Sequence, residues 1–540
     1  MKRIPALLLL AIPLACSDDG LAQNDTDSGE SGDEETSNPD TTVGTTLSTT
    51  TGTATQSTSE ADESSSESTP ADSTTGPTIE VSAAVALHDG QPMVADLTLV
   101  LSAPGSATVT HASDQGVVIT PLDVSDETNL VFRVRGLAPD VDHTLAFEVT
   151  PEAGGDVVSD QVDFTTNPAL PGFIGAFELE TTDVDPEPVY RLLDLNVFPI
   201  SENNGLALVD PAGVTRWYLG APNTTMGPPS VWAAPKILPD GQIMYLHADT
   251  LWIRDELGNT NLELPALDID LPSLHHDVVA LDNGNFLTMS FVFQEVDYGG
   301  MTGVLNVAGD LLVELTPDGE IVWEWNSFDH LDPLRTRADF DTTTYYDPFT
   351  MQSGQDWTHG NGLIYDADAD TVLLSMRHQD WIVLIDRATG DILWRLGDEG
   401  DFALAPEDTW FFHQHSPQWQ PDGSLLLYDN GVGNPYIDPA EVETHAIRIE
   451  LDFDLMTADV VWRDDEPPFI SVFAGDADLM PGGHYLVADP IYVDGKASHG
   501  RLRELELGHD PERIWSIRLP DNYFVYRATA HEQIIGLATE

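Results

Sequence analysis

A short phrase recurs along the C-terminal two thirds of the chain: an apolar residue, Asp, a Gly-bearing turn, then alternating apolar residues ending on Trp. It reads LVDPAGVTRW to Trp217, LTPDGEIVW to Trp323 and IDRATGDILW to Trp394. Looser versions are LDFDLMTADVVW to Trp462 and LGHDPERIW to Trp515, and IRDELGNTNLEL fills the gap after Trp217. Each reads as a hairpin, with Asp/Gly chemistry at its turn. A second phrase lies between them, a turn followed by aliphatics: ILPDGQIMYL, ALDNGNFLTMS, WQPDGSLLLYD and LMPGGHYLVAD, with GLIYDADADTVLLSMR as a longer-turned version. Two hairpins per unit give four strands, and such a unit cannot cover its own apolar faces. Radial packing of the units solves this, so the expected fold class is all-β: a six-bladed β-propeller over 173–540, preceded by a small β-sandwich.

The sandwich is expected over 78–167, where EVSAAVAL, ADLTLVLS, NLVFRVRGL and HTLAFEVTP alternate apolar and polar residues between turns. The piece GLAPDVDHTLAFEVTP…DFTTNP resembles a fibronectin type III domain. Residues 17–77 are Ser, Thr, Asp, Glu and Gly with almost no apolar residue. Such a segment cannot bury enough surface to order itself, and as a coil it would span on the order of 40–50 Å. It reads as a tether. At its head, Met1-Lys2-Arg3, the apolar Ile4–Ala11 and Pro13-Leu14-Ala15-Cys16 resemble a bacterial lipoprotein signal over 1–16. The expected lipidation site is Cys16, with export, anchoring to the outer membrane and no other membrane contact. Cys16 is the one cysteine, so no intrachain disulfide and no cysteine zinc site can form.

Charge narrows the partners. Lys+Arg total 21 against 92 Asp+Glu, a net of −71, and only Lys2, Lys236 and Lys496 are lysines. General electrostatics therefore cannot hold nucleic acid or an anionic membrane surface. An anionic substrate needs a local cationic pocket.

In a propeller, the first residues of each inner strand face the axis. His276 stands eight residues before Gly284, His415 eight before Gly423, and His359 precedes its strand in an equivalent place. This register favours His276 over His275, and His415 over His413. Arg377, 18 residues after His359, ends the strand that His359 begins. Three imidazoles and a guanidinium, with no carboxylate in the set, suggest an oxyanion site more than a metal site. A three-histidine metal site would use the same imidazoles without the arginine. Trp357 and Trp419 are candidate aromatic contacts for a ligand, and Asn361 is a further candidate for substrate contact.

The segments HHDVVALDNGNFLTMS, LVELTPDGEIVWEWNSFDHLDPLR, DWTHGNGLIYDADADTVLLSMRHQDWIVLIDRATGDILWRLGD, FFHQHSPQWQPDGSLLLYDNG and the closing NYFVYRA closely resemble the bacterial arylsulfate sulfotransferase family. The resemblance implies an exported six-bladed propeller that moves a sulfuryl group from an aryl sulfate donor to a phenol acceptor. It implies no nucleotide sulfate donor and a ping-pong course through a sulfohistidine. It places the nucleophile at His415, its partners at His276, His359 and Arg377, and calls for no metal or organic cofactor. A homodimer is compatible with it. Some members carry a disulfide near the site, which this chain cannot form. The rival classes are a non-catalytic ligand-binding propeller at the cell surface, a quinoprotein-like propeller suggested by ATGDILW, and a metal-dependent propeller enzyme. Retention of all four polar site residues favours the enzyme.

Overall fold

The structure, a computed structural model, describes residues 79–538 except 114–115, 124–126, 183, 198–203, 221–230, 338–339, 341–342, 347–350, 407 and 495–496, together with the two-residue strand Leu47–Ser48. The signal, Cys16 and the rest of the tether lie outside the described residues. Two compact units are present. Among the described residues, no helix is long and apolar enough to cross a membrane.

The first unit is a sandwich of two antiparallel sheets. Val81–Leu87, Val94–Leu101, Asn129–Arg135 and Val118–Asp123 form one in that order; Gly105–His111, Asp142–Pro151 and Val158–Thr165 form the other. Leu47–Ser48 pairs with the outer edge of the first. This is the strand order of constant-type immunoglobulin sandwiches, whose architecture fibronectin type III domains share. Leu97, Leu99 and Val134 from one sheet and Leu145 and Val149 from the other fill the space between them.

The second unit is a β-propeller. Its described strands form six sheets. The first is built on Tyr190–Val197 and Gly205–Val209, and the second runs from Trp232–Ile237 to Thr260–Pro265. The third runs from His275–Ala280 to Ile321–Asn326, and the fourth from Gly360–Asp366 to Ile392–Gly397. The fifth runs from His415–Trp419 to Thr457–Arg463, and the sixth from Asp476–Leu479 to Arg513–Arg518. The C-terminal strand Ala528–His531 pairs with Tyr190–Val197 and supplies the innermost strand of the first sheet. Innermost strands lie against one another in chain order and close a ring at that point. At the rim, Glu178–Thr181 adds to Arg513–Arg518. Both ends of the unit are thereby stitched to the opposite terminus.

The two repeated phrases have distinct physical jobs. The aliphatic phrase forms second strands buried on both faces. Leu425 and Leu427 pack toward the fourth sheet, whereas Leu426 and Tyr428 pack toward the sixth. Val372 and Leu374 likewise face the third sheet while Leu373 faces the fifth. This explains why the phrase is a continuous apolar run and does not alternate. The tryptophan phrase forms the outer hairpin, and its indole reaches the outer turn of the next sheet. Trp323 Nε1 donates to Arg387 O at 2.9 Å, and Trp462 Nε1 to Glu512 at 3.2 Å. Trp515 Nε1 donates to Pro211 O at 2.8 Å, which links the sixth sheet to the first. Trp394 makes the same kind of link by packing against Phe402 and Phe453.

Beneath Trp515 the joint is ionic. Arg191 stacks on the indole at 4.6 Å and pairs with the buried Glu504. Glu504 also accepts from His484 Nδ1 at 2.7 Å, and Glu187 accepts from the amides of Gly482 and His484. Trp515→Ala should cost about 3–5 kcal/mol of stability through the cavity it leaves. Trp515→Phe should cost about 1 kcal/mol, since it retains most of the burial and loses only the Pro211 bond. Urea unfolding of the two variants checks the ratio.

Candidate active site

The site forms where innermost strands begin. The first strands of the second to fifth sheets each carry a break in register near their start, at Ala233/Lys236, His275/Val278, Gly360/Gly362 and His415/Gln418. An inserted residue breaks the alternation and re-aims the neighbouring side chain, here toward the axis. The backbone turns left-handed at or beside these points: φ is 51° at Ala234, 59° at His276, 51° at His359 and 48° at Ser416. Histidine tolerates this region better than β-branched residues do.

His276, His359, His415 and Arg377 are brought together. The rings of His276 and His359 lie 4.8 Å apart, and Tyr526 stands edge-on to both His276 (5.9 Å) and His415 (6.2 Å). Arg377 opens a short 3-10 turn after Thr371–Met376; its amide donates to His359 O at 3.0 Å and its guanidinium to Val472 O at 3.3 Å. Two residues beyond Val472, the Ala474 amide donates to His415 Nε2 at 3.1 Å. His415 Nδ1 faces Asn430 Oδ1 at 2.7 Å and His413 O at 3.1 Å. Burial, reinforced by Arg377 and His359, holds the fully buried His415 well below the ordinary imidazole range, so it is neutral near pH 7. Burial and the neighbouring His359 do the same to His276.

Three expectations need correction. The fixed offset from glycine does not put His276 and His415 on the same rung. His275 pairs with Met289 and His415 with Tyr428, each five residues after its glycine, because the irregularity in the third sheet is one residue longer. The two histidines differ in their contacts: His276 is the one whose ring meets His359, whereas His275 stacks on Phe291 at 4.1 Å and touches the set only through His276, Nδ1 to Nδ1 at 2.8 Å. Second, a carboxylate does join the set. Asp356 Oδ2 lies 2.6 Å from His359 Nδ1 and 3.5 Å from His378 Nδ1. Burial would raise this carboxyl, but His359 and His378 hold it well below the usual range. Third, Trp357 has no face for a ligand. It is 1% exposed, stacks on Phe328 at 4.9 Å and donates to Arg335 O. Trp419 packs edge-on to Trp394 in the core between the fourth and fifth sheets.

Sequence reasoning missed four neighbours. His378 lies tilted against His359 with the rings 4.6 Å apart, points Nδ1 at Asp356 O and receives a hydrogen bond from Arg377 on its other nitrogen. Asp356, Tyr526 and Asn430 all lie inside the quoted motifs, three residues before His359, in NYFVYRA and in YDNG. Only contact singles them out.

Below the imidazoles runs an ion network. Arg527 pairs with Asp277 at 2.7 Å and donates to Asn361 O at 2.6 Å, while Lys236 holds the other Asp277 oxygen at 2.8 Å. Asn361 is fully buried and donates to Gln414 O at 2.8 Å, so it joins the fourth sheet's inner strand to the approach to His415. Burial alone would raise Asp277; Arg527 and Lys236 outweigh it and lower the carboxyl to about 2.

One ligand atom each from Asp356, His359 and His378 lies within 4.8 Å of the others, a spacing that can hold a cation. The Arg377 guanidinium on His378 sets a fixed positive charge against that use. Glu187, His484 and Glu504 form a second such trio, whose carboxylates already accept the hydrogen bonds of the sheet joint.

Fold and site together define a β-propeller with a buried neutral imidazole, a guanidinium and a carboxylate-backed imidazole gathered at its axis. The arylsulfotransferase (ASST) family model matches residues 179–527, and the chain belongs to that family. Membership implies an aryl sulfotransferase activity. No curated protein matches the chain. Among solved structures, hydrazine synthase of Kuenenia stuttgartiensis is similar at 11% identity and a TM-score of 0.28, over 56% of this chain and 69% of that one. A likeness of that size carries no argument.

Asp277→Leu should leave Arg527 buried without its counter-charge and cost about 3–5 kcal/mol. A carboxyl lowered on folding stabilises above its ordinary value. The Asp277 contribution should therefore be full at neutral pH and fade only as pH falls from 3.8 toward about 2. Unfolding midpoints of the variant and parent across that range test both.

Proposed function

We propose that the protein transfers a sulfuryl group from an aryl sulfate ester to a phenol by two displacements through a sulfohistidine at His415. The observation that carries this is the contrast between two axial imidazoles. His415 is buried, neutral and backed by an amide, whereas His359 is backed by the Asp356 carboxylate. Pairs of titratable groups whose surroundings pull them apart mark the division between nucleophile and acid–base.

In the first displacement, His415 Nε2 gives up the hydrogen bond it accepts from the Ala474 amide and forms a bond to sulfur as the bond from sulfur to the aryl oxygen breaks. Negative charge spread over the three equatorial oxygens is met by Arg377, whose planar fork stays charged at any working pH. The departing phenolate takes a proton from His359, whose imidazolium form Asp356 stabilises. In the second, His359 takes the proton of the acceptor phenol, the new oxygen–sulfur bond forms and the nitrogen–sulfur bond breaks. His276 lines the same space, and Tyr526 is the aromatic beside both rings. Splitting one transfer into two gives ping-pong kinetics.

A chromogenic aryl sulfate should release about one equivalent of its phenol per protein on its own and turn over continuously only when an acceptor phenol is added. Release indifferent to acceptor would point to a hydrolase, and no release to a binding module. Donor alone should leave sulfate on His415, located by mass spectrometry. Asp356→Asn should lower kcat most for donors with the most basic phenols, which need the proton most. An equal loss across donors would remove His359 from the acid role. Activity should survive a chelator; its loss and recovery with a divalent cation would instead support the metal reading at Asp356, His359 and His378.

We further propose export and lipid anchoring at Cys16, supported by the Met1–Cys16 pattern. Cys16→Ala should move the protein from the membrane to the soluble fraction.

A further inference from the structure

We infer that Asn430 is the positioning residue that fixes His415 in its Nδ1–H tautomer, so that Nε2 carries no proton and its lone pair, held by the Ala474 amide, can be given to sulfur when that hydrogen bond is exchanged. The chemical use of that lone pair rests on the sulfotransferase reading; the geometry does not.

Asn430 follows the buried strand Leu425–Asp429 and is fully buried. Its Nδ2 donates to Ser471 O at 2.8 Å and to Ala474 O at 3.0 Å. Both are carbonyls, so the amide cannot be reversed without facing acceptor against acceptor, and its oxygen must point at His415 Nδ1, 2.7 Å away. The second neighbour of Nδ1, His413 O at 3.1 Å, is also an acceptor. On the far side of the ring, the Ala474 amide is a donor to Nε2. Two acceptors on one nitrogen and a donor on the other satisfy only one neutral tautomer. The Asn430 amide also anchors the Ser471–Ala474 segment that presents the Nε2 donor, so one side chain sets both faces of the ring.

An amide suits this task where a carboxylate would not. Asp356 backs His359 and stabilises a positive ring; a carboxylate behind His415 would do the same and consume the lone pair. The charged and titratable groups facing His415 are Arg377, His359, Arg527, His276 and Tyr526. Burial and the cations among them disfavour a charged ring, and the Asn430 amide opposes them only as a neutral acceptor, without the full charge a carboxylate would bring.

The test uses full-length protein labelled with nitrogen-15 histidine, the His415 signals being assigned by their loss in His415→Asn. The expected wild-type spectrum shows a protonated Nδ1 and an unprotonated Nε2; the opposite tautomer would overturn the inference. Asn430→Leu, which leaves only His413 O on Nδ1, should give a tautomer mixture and lower kcat about 10- to 100-fold with little change in KM, the scale seen when partners that orient a reactive imidazole are removed. Asn430→Asp should put a positive charge on the ring at neutral pH and suppress sulfohistidine formation, with activity returning as pH is raised. A single Nδ1–H tautomer and unchanged kcat in Asn430→Leu would refute the role. Should Asn430→Leu fail to fold, the wild-type tautomer and the pH response of Asn430→Asp still decide it. Because the tautomer is read without substrate, the expected spectrum in a protein with no transfer activity would sink the sulfotransferase reading and leave this one standing.

Discussion

The pairing of Ala528–His531 with Tyr190–Val197 joins the two ends of what is otherwise an open row of sheets. Without it the first and sixth sheets would each expose an apolar face, the condition that end units of a repeat must avoid. The same pairing delivers Tyr526 and Arg527 to the axis, immediately before the closing strand. Tyr526 stands between His276 and His415, and Arg527 neutralises Asp277 and braces Asn361. Closure and site therefore share residues. The rim repeats the logic, where Trp515, Arg191 and Glu504 hold the sixth sheet to the first.

Electrostatics inside this chain run against its bulk composition. With a net of −71, the outer field repels the anionic esters it would have to bind. The scarce cations are placed accordingly: Arg377, Arg527 and Lys236 all lie at or under the axial imidazoles. Arg527 and Lys236 share the single Asp277 carboxylate, whereas Arg377 is the guanidinium set against neutral imidazole. A low dielectric magnifies what that one charge can do to an equatorial oxygen.

Much of the fold was legible because it is local. A strand buried on both faces has to be apolar throughout, as Leu425–Tyr428 is, and a hairpin whose tryptophan docks on its neighbour has to repeat that tryptophan at a fixed place. The site was legible in part. His276, His359, His415 and Arg377 stood out because their blades repeat. Asp356, His378, Tyr526 and Asn430 carry no such mark, and Trp357 misled because an aromatic beside a reactive residue looks the same whether it lines a cleft or fills a core.

What the sequence determined by itself was the repeat, the all-β class and the residue types that reach the axis, since periodicity and turn chemistry act over a few residues at a time. The tertiary structure decided what stands behind each imidazole. It put Asn430, 15 residues from His415, behind one ring and Asp356, three from His359, behind the other. Partnership of that kind is set by how sheets meet around an axis, and no spacing along the chain records it.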